Sequence, residues 1–420
     1  MNKKSFIISV FTVFVQYYDY HLFGFMAANI ASHFFPSDEI ITQLLNTYFL
    51  MAIAMIAKPL GSVIFGKIGD LKGRSNSFKV SLFGTSAASF ILFIAPAYES
   101  VGILSAFILL LCRMSICAFV TSGSDGVRIY IYEHIPASKR CLGVGITALF
   151  TQAGALTASL SAWIFTRNYL PSYSWKFAFL VGGVLGILAL LAMKITNFSD
   201  HKQMHETDGF SEFQNLSLTK IIRTNWELFL LCIVLAGSIG STNQFLIVFF
   251  GTYNFEIIGT IERSSMQKII SLAIVAYMIF SVVGGYIADK LGPYIVAKFA
   301  VFAVLTCSIL LCLYLNNRIL NEWVFIGIAT LMPFVTMPAA AIFKQSIPEA
   351  IRYRLFSLSH AIGSVLISAP TAFLSTFIYH KTNIIWLPIV YFICTIIMIF
   401  LSLHYLNKRI VNITQSKNSD

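Results

Sequence analysis

Polar residues come in short breaks along this chain, and the stretches between them are apolar. About twelve such runs can be drawn, each near the ~20 residues a helix needs to cross a bilayer. They are 5–33, 41–65, 78–97, 101–132, 141–166, 174–195, 227–252, 267–289, 294–314, 321–346, 355–379 and 384–406. A backbone in lipid must satisfy its own hydrogen bonds, so runs of this length predict helices rather than barrel strands. The first run is too long for a signal peptide and lacks a small-residue cleavage site, so it is expected to stay as a span.

One long polar segment divides the helices six and six. The expected organisation is a first six-helix half (1–195), a linker (196–226), a second six-helix half (227–406) and a tail (407–420). A short surface helix is expected at "NLSLTKIIRT" within the linker. His201 and His205, four apart there, read as a solvated face rather than a metal site.

The two halves echo each other. "GKIGDLKG" (66–73) follows the second helix and "GYIADKLG" (285–292) follows the eighth. "HIPASKR" (134–140) follows the fourth and "SIPEAIR" (346–352) the tenth. Two matches in the same register imply a duplicated unit, with a cavity between the halves near mid-bilayer.

Composition agrees with a membrane chain. Hydrophobic residues make up 57% and charged residues 11%, where soluble domains carry about 25% charged residues. The net charge of +11 invites a nucleic-acid partner, but its placement argues otherwise. With the N-terminus inside, inner segments hold about 20 of the 29 Lys and Arg, which is the positive-inside bias and sets both termini in the cytoplasm. The seven cysteines fall almost wholly within apolar runs and read as small core residues. No phosphate-cradling loop, CxxC or His/Cys cluster is present, so neither an ATP-driven pump nor a structural metal is expected.

Ionisable residues inside the spans carry the chemistry, because a charge at the bilayer centre costs roughly 2.5–3.5 kcal/mol and persists only beside a cavity or a partner. The set is Asp19 and His21 on the first helix, Lys58 on the second, and Arg113, Asp125, Arg128 and Glu133 on the fourth. At 3.6 residues per turn, Thr12, Gln16 and Asp19 share one face within roughly 60°, with His21 nearly opposite Asp19. Asp19 is expected to face the cavity, and His21 to serve another helix or the outer interface. Arg113, Ser124 and Arg128 form a cationic stripe. Asp125 is one turn from Arg128, so the two either form a closed internal pair or both meet the solute. A carboxyl at Asp19 that takes up and releases a proton supplies coupling. Guanidinium groups suit a carboxylate, which they hold with two hydrogen bonds, and Tyr17, Tyr18 and Tyr20 supply aromatic walls and hydroxyls.

The loop "GKIGDLKGR" reads as a gate. Its glycines permit a tight turn, Asp70 can reach the N-terminal end of the eleventh helix, and Arg74 can pair with Glu133. Arg140, Asp289 and Arg352 hold matching positions in the repeated motifs.

Gly66, Asp70, Gly73 and Arg74, spaced G-x-x-x-D-x-x-G-R, resemble the signature of the major facilitator superfamily, with Leu71 where that family has a basic residue. Within it, the chain resembles the metabolite:proton symporters, the group of proline/betaine, α-ketoglutarate, citrate and shikimate transporters. "QYYDYHLFG" keeps Asp19 and Gly24 of their first-helix motif, "KPLG" (58–61) stands for R-P-L-G, and "RMSICAFVTSGSDG" keeps Arg113, Phe119, Gly123 and Gly126. Gln16 and Ser124 stand where the family has Glu, an acid has moved to Asp125, and Arg128 lies outside the pattern.

The resemblance implies twelve transmembrane helices in two six-helix halves, in a bacterial cytoplasmic membrane. The expected function is proton-driven import of a carboxylate-bearing or zwitterionic metabolite: an organic acid, an amino acid or betaine, or a polycarboxylate siderophore. The expected site is Asp19 and Asp125 for protons; Gln16, Tyr20, Arg113, Ser124 and Arg128 for substrate; and Gly66, Asp70, Gly73, Arg74, Glu133, Arg140, Asp289 and Arg352 for the cytoplasmic gate. Partners are the bilayer, protons and the solute, in a monomer that is no enzyme and needs no cofactor. An exporter of the same fold is the alternative, disfavoured because the fifth helix has Gly154 but no Pro where exporters carry G-P-x-x-G-G. A transport-inactive sensor or scaffold is the third reading.

Overall fold

Apolar runs separated by Gly, Pro and Asn become helices in the computed structural model, which describes residues 3–35, 39–72, 74–167, 169–171, 173–195, 218–259, 261–348 and 351–419. The first half contains α1 (Lys3–Phe25), α2 in two pieces (Ile40–Ala54 and Ala57–Lys72), α3 (Arg74–Ile94), α4 (Leu104–His134), α5 (Arg140–Phe165) and α6 (Phe177–Ile195). The second contains α7 (Trp226–Asn243, continuing to Ile258), α8 (Arg263–Leu291), α9 (Pro293–Asn316), α10 (Glu322–Ser346), α11 (Arg352–Gly363, continuing to Thr382) and α12 (Leu387–Ser419). Ten of these spans are long and apolar enough to cross a membrane by length and composition among the described residues, and Phe78–Ile94 is a shorter apolar helix. Most of the linker, 196–217 with its two histidines, lies outside the described residues, and Leu218–Thr224 is helical as expected.

Local chemistry sets the boundaries. Gly259 (φ 68°) and Gly292 (φ 97°) end α7 and α8 in backbone that side chains disfavour. Pro293, which has no N–H to lose, then opens α9. The Asn321 side chain accepts from the Val324 N–H at 3.2 Å and caps α10.

The halves meet in a way that reflects duplication. α5 packs on α8, and α2 packs on α11. If α2 corresponds to α8 and α5 to α11, these are one contact made twice. The α5–α8 crossing is backbone against backbone. A methyl on Gly145 would strike the Ser281 carbonyl, and one on Gly285 would strike that of Cys141. Small residues at such crossings give membrane helices their close packing, since lipid supplies no hydrophobic drive. The outward faces are apolar, with Ile94, Phe299, Leu313 and Leu366 exposed. Trp163 lies under Arg167 at 3.8 Å beside exposed Tyr169 and Tyr173, as suits an interfacial band.

Two second-half helices depart from α-helical winding. α7 is π-helical over Gln244–Phe249 and Tyr253–Ile258, and α11 over Ser364–Ser368. Of their counterparts under the duplication, α5 runs unbroken, and α1 stops at Phe25, turns at Met26 and continues as Ala27–Phe34, with no π-helical turn.

Candidate functional site

A cavity of about 160 Å³ lies between the halves. A single water needs about 10–15 Å³, so this space has room for a small solute. Its walls come from α1, α2, α4 and α5 of the first half and from α7, α8, α10 and α11 of the second. Those sets are equivalent under the duplication, and α3, α6, α9 and α12 stand outside.

Three cations line it: Lys58, Arg128 and Lys344. Lys58 Nζ donates to the Tyr20 hydroxyl at 3.3 Å. Lys344 Nζ donates to the Ala340 carbonyl of its own helix at 3.3 Å. Arg128 donates to the Tyr17 hydroxyl at 2.7 Å and lies 3.8 Å from Asp125. Asp125 is fully buried, and its other oxygen meets His360 Nδ1 of α11 at 2.8 Å. This contact joins the two halves at the wall of the cavity. Three further polar side chains face the cavity with unmet hydrogen-bonding atoms: both ring nitrogens of His21, Ser124 Oγ and Gln152 Oε1.

The face of α1 is reversed relative to the sequence expectation. Tyr17, Tyr20 and His21 line the cavity. Thr12, Gln16 and Asp19 do share a face, but it packs within the first half. Gln16 donates to Ser81 Oγ at 2.7 Å, and Asp19 accepts from Ser89 Oγ at 2.8 Å. α3 supplies both hydroxyls, so the polar side of α1 is met inside its own half. Asp19 also lies against Gly182 of α6. Tyr18 turns the same way and donates to the Ala178 carbonyl at 2.8 Å. Arg113 is likewise off the cavity surface. It is fully buried behind Tyr20, donates to the Tyr20 carbonyl at 2.9 Å, and stacks on Tyr20 and Phe23 at 4.7 Å each. Of the expected substrate residues, Tyr20, Ser124 and Arg128 line the cavity, whereas Gln16 and Arg113 do not.

Contacts join the two halves on either side of the cavity. On the side of the termini, Arg352 meets Glu133 at 3.4 Å and donates to the Lys344 carbonyl at 2.9 Å. Arg140 stacks on Tyr132 at 4.8 Å. Asp289 of α8 accepts from the Cys141 and Leu142 N–H groups at 2.9 and 2.8 Å, so a carboxylate from one half caps the N-terminal end of α5 in the other. The side chains of Gly66, Asp70, Gly73 and Arg74 lie outside the described residues. On the far side, Arg263 donates to Asn29 at 3.3 Å, Gly24 abuts Val248, and Phe49 meets Phe373 at 5.8 Å between centroids.

Lys344 and His360 were absent from the expected site. The criterion that selects Lys58, an ionisable residue inside an apolar run, selects both of them within 321–346 and 355–379.

Comparison with known proteins agrees with this architecture. Residues 9–369 match the sequence model of the Major Facilitator Superfamily. The chain is 24% identical over 395 residues to a proline/betaine transporter of Salmonella typhimurium, covering 90% of this chain and 78% of that one. It is 25% identical over 395 residues to a glycine betaine/proline/ectoine/pipecolic acid transporter of Dickeya dadantii, covering 90% and 77%. Among solved structures, a D-xylose-proton symporter superposes with a TM-score of 0.71 at 15% identity, covering 96% of each chain.

Proposed function

The chain belongs to the major facilitator superfamily, and on that premise we propose that it imports a small carboxylate-bearing or zwitterionic solute by proton symport and alternating access. It is a multi-pass membrane protein of a family of small-solute transporters. The direction, the driving ion, the solute class and a bacterial inner membrane with both termini in the cytoplasm belong to the proposal, as do the two halves 1–195 and 227–406 joined by 196–226.

One observation carries it. A cavity between equivalent helices holds Lys58 and Lys344, neither paired with a carboxylate among the described residues, beside a carboxylate–histidine contact that spans the two halves. The cations suit a carboxylate. Asp125 and His360 suit a proton step, because a carboxylate and an imidazole at hydrogen-bond distance can pass a proton between them and this contact ties α4 to α11. Arg128 faces the same carboxylate and shares it. Asp19, with one oxygen on Ser89 and the other unpartnered, is the second coupling candidate. Glu133, Arg140, Asp289 and Arg352 form the cytoplasmic gate, and Gly66, Asp70, Gly73 and Arg74 its counterpart in the repeat.

Reconstitution in liposomes tests this reading. Uptake of an organic acid or betaine is expected when the outside is acid and to collapse with a protonophore. His360→Gln is expected to flatten the pH dependence of uptake while binding persists. Extrusion under the same gradient, or uptake indifferent to it, overturns the proposal.

A further inference from the structure

Of the five Tyr and Phe rings that line the cavity among the described residues, Tyr17, Tyr20 and Phe356 face the protein's own cations, whereas Tyr277 and Phe343 do not. Lys58 stands 4.8 Å and Arg113 4.7 Å from the centre of the Tyr20 ring. Arg128 stands 5.0 Å from that of Tyr17. Lys344 stands 5.1 Å from that of Phe356. A quaternary ammonium is recognised by open aromatic faces, and a zwitterion's positive end would meet like charge on these walls.

The charge that the cavity leaves uncompensated is positive and lies on both halves. Lys58 and Arg128 belong to the first half and Lys344 to the second, and the one nearby carboxylate among the described residues, Asp125, is held by His360 at 2.8 Å. The hydrogen bonds of Lys58 and Lys344 go to a neutral hydroxyl and a helix carbonyl. His21 adds the observation that points to a ligand. It is 5% exposed, it lines the cavity, and neither ring nitrogen has a partner. A buried polar group without a partner is costly, and a bound oxygen removes the cost.

We infer that the solute carries two anionic groups and bridges the halves, one group held by Lys58 and His21, the other by Lys344, with Arg128 between them. This rests on the transport reading above and narrows its solute class to di- and tricarboxylates, away from the proline and betaine in the relatives' names. Lys344 and His21 become specificity residues. A monocarboxylate satisfies one half only and leaves the other's cation bare, so the second anionic group is what draws the halves together.

The experiment is a binding measurement on the purified full-length chain in nanodiscs, with succinate, citrate, proline and glycine betaine as probes. Succinate or citrate is expected to raise the melting temperature, and proline and betaine to leave it unchanged. Lys344→Gln is expected to weaken dicarboxylate binding by about tenfold, and Lys344→Arg to keep most of it, which separates lost charge from lost fold. His21→Phe is expected to weaken dicarboxylate binding without lowering the melting temperature of the empty protein. Proline or betaine stabilising the protein where no dicarboxylate does overturns the inference, as does dicarboxylate binding unchanged in Lys344→Gln. Dicarboxylate binding without uptake in liposomes sinks the transport reading and leaves this one standing. Proton-driven uptake of betaine that dicarboxylates do not inhibit does the reverse.

Discussion

Arg113 heads the largest side chains sealed inside the protein among the described residues, and its position shows what a single residue can do without touching solute. It backs the Tyr20 ring and bonds the Tyr20 carbonyl, and the Tyr20 hydroxyl in turn accepts from Lys58 and from Gln244 of α7. Arg113 is therefore a positioning residue for a contact that joins both halves. Arg113→Ala is expected to lower dicarboxylate affinity by about tenfold while the protein still inserts and elutes as one species. Arg113→Lys should recover only part, since an ammonium keeps the charge but not the planar stack. Unchanged affinity in Arg113→Ala would remove this role. The same helix faces show where sequence reasoning stops. Helical spacing put Asp19 and His21 on opposite sides of α1, and that holds. It could not say which side meets the cavity, because Ser81 and Ser89 on α3, which draw Gln16 and Asp19 inward, are unremarkable as sequence. The chemistry was legible as a residue type, an ionisable group in an apolar run, and illegible as an orientation.

At the scale of the helices, far more could be read in advance. The apolar runs gave twelve spans, and the repeated G-x-I-G/A-D-x-x-G motif gave the duplication. One contact between the halves was legible by position, since Asp289 matches Asp70 in the repeat, although its partner was not. Asp70 was expected to reach the N-terminal end of α11, and its equivalent meets that of α5. The α5–α8 crossing depends on Gly285, whose closeness to Cys141 leaves no room for a side chain. Gly285→Val is expected to wedge the termini side apart. Cys141, 1% exposed in the closed arrangement, should then react with a membrane-permeant maleimide while helical content is kept. A folded Gly285→Val protein with Cys141 still protected would show that this crossing does not open.

Across the whole molecule, the two halves match in the placement of helices around the cavity and differ in how those helices are wound. α5 is continuous and α1 is interrupted once, at Met26, whereas α7 and α11 carry π-helical turns, and Gln244, Ser364 and Ser368 at those turns line the cavity. Amide hydrogen exchange checks the difference. Residues 244–258 and 364–368 are expected to exchange faster than the mid-membrane parts of α1 and α5, and a saturating dicarboxylate should slow them. Equal protection in both halves would mean that the windings do not differ in stability. Each α-helical residue turns the chain by about 100° and advances it 1.5 Å, so a surplus residue stored in a wide turn is a swivel. Passing that surplus along α7 or α11 would re-aim everything beyond it while the chain stays unbroken. The second half thus stores its slack inside the helical winding, where the first half places it in the interruptions at Met26 and at Met55–Ile56.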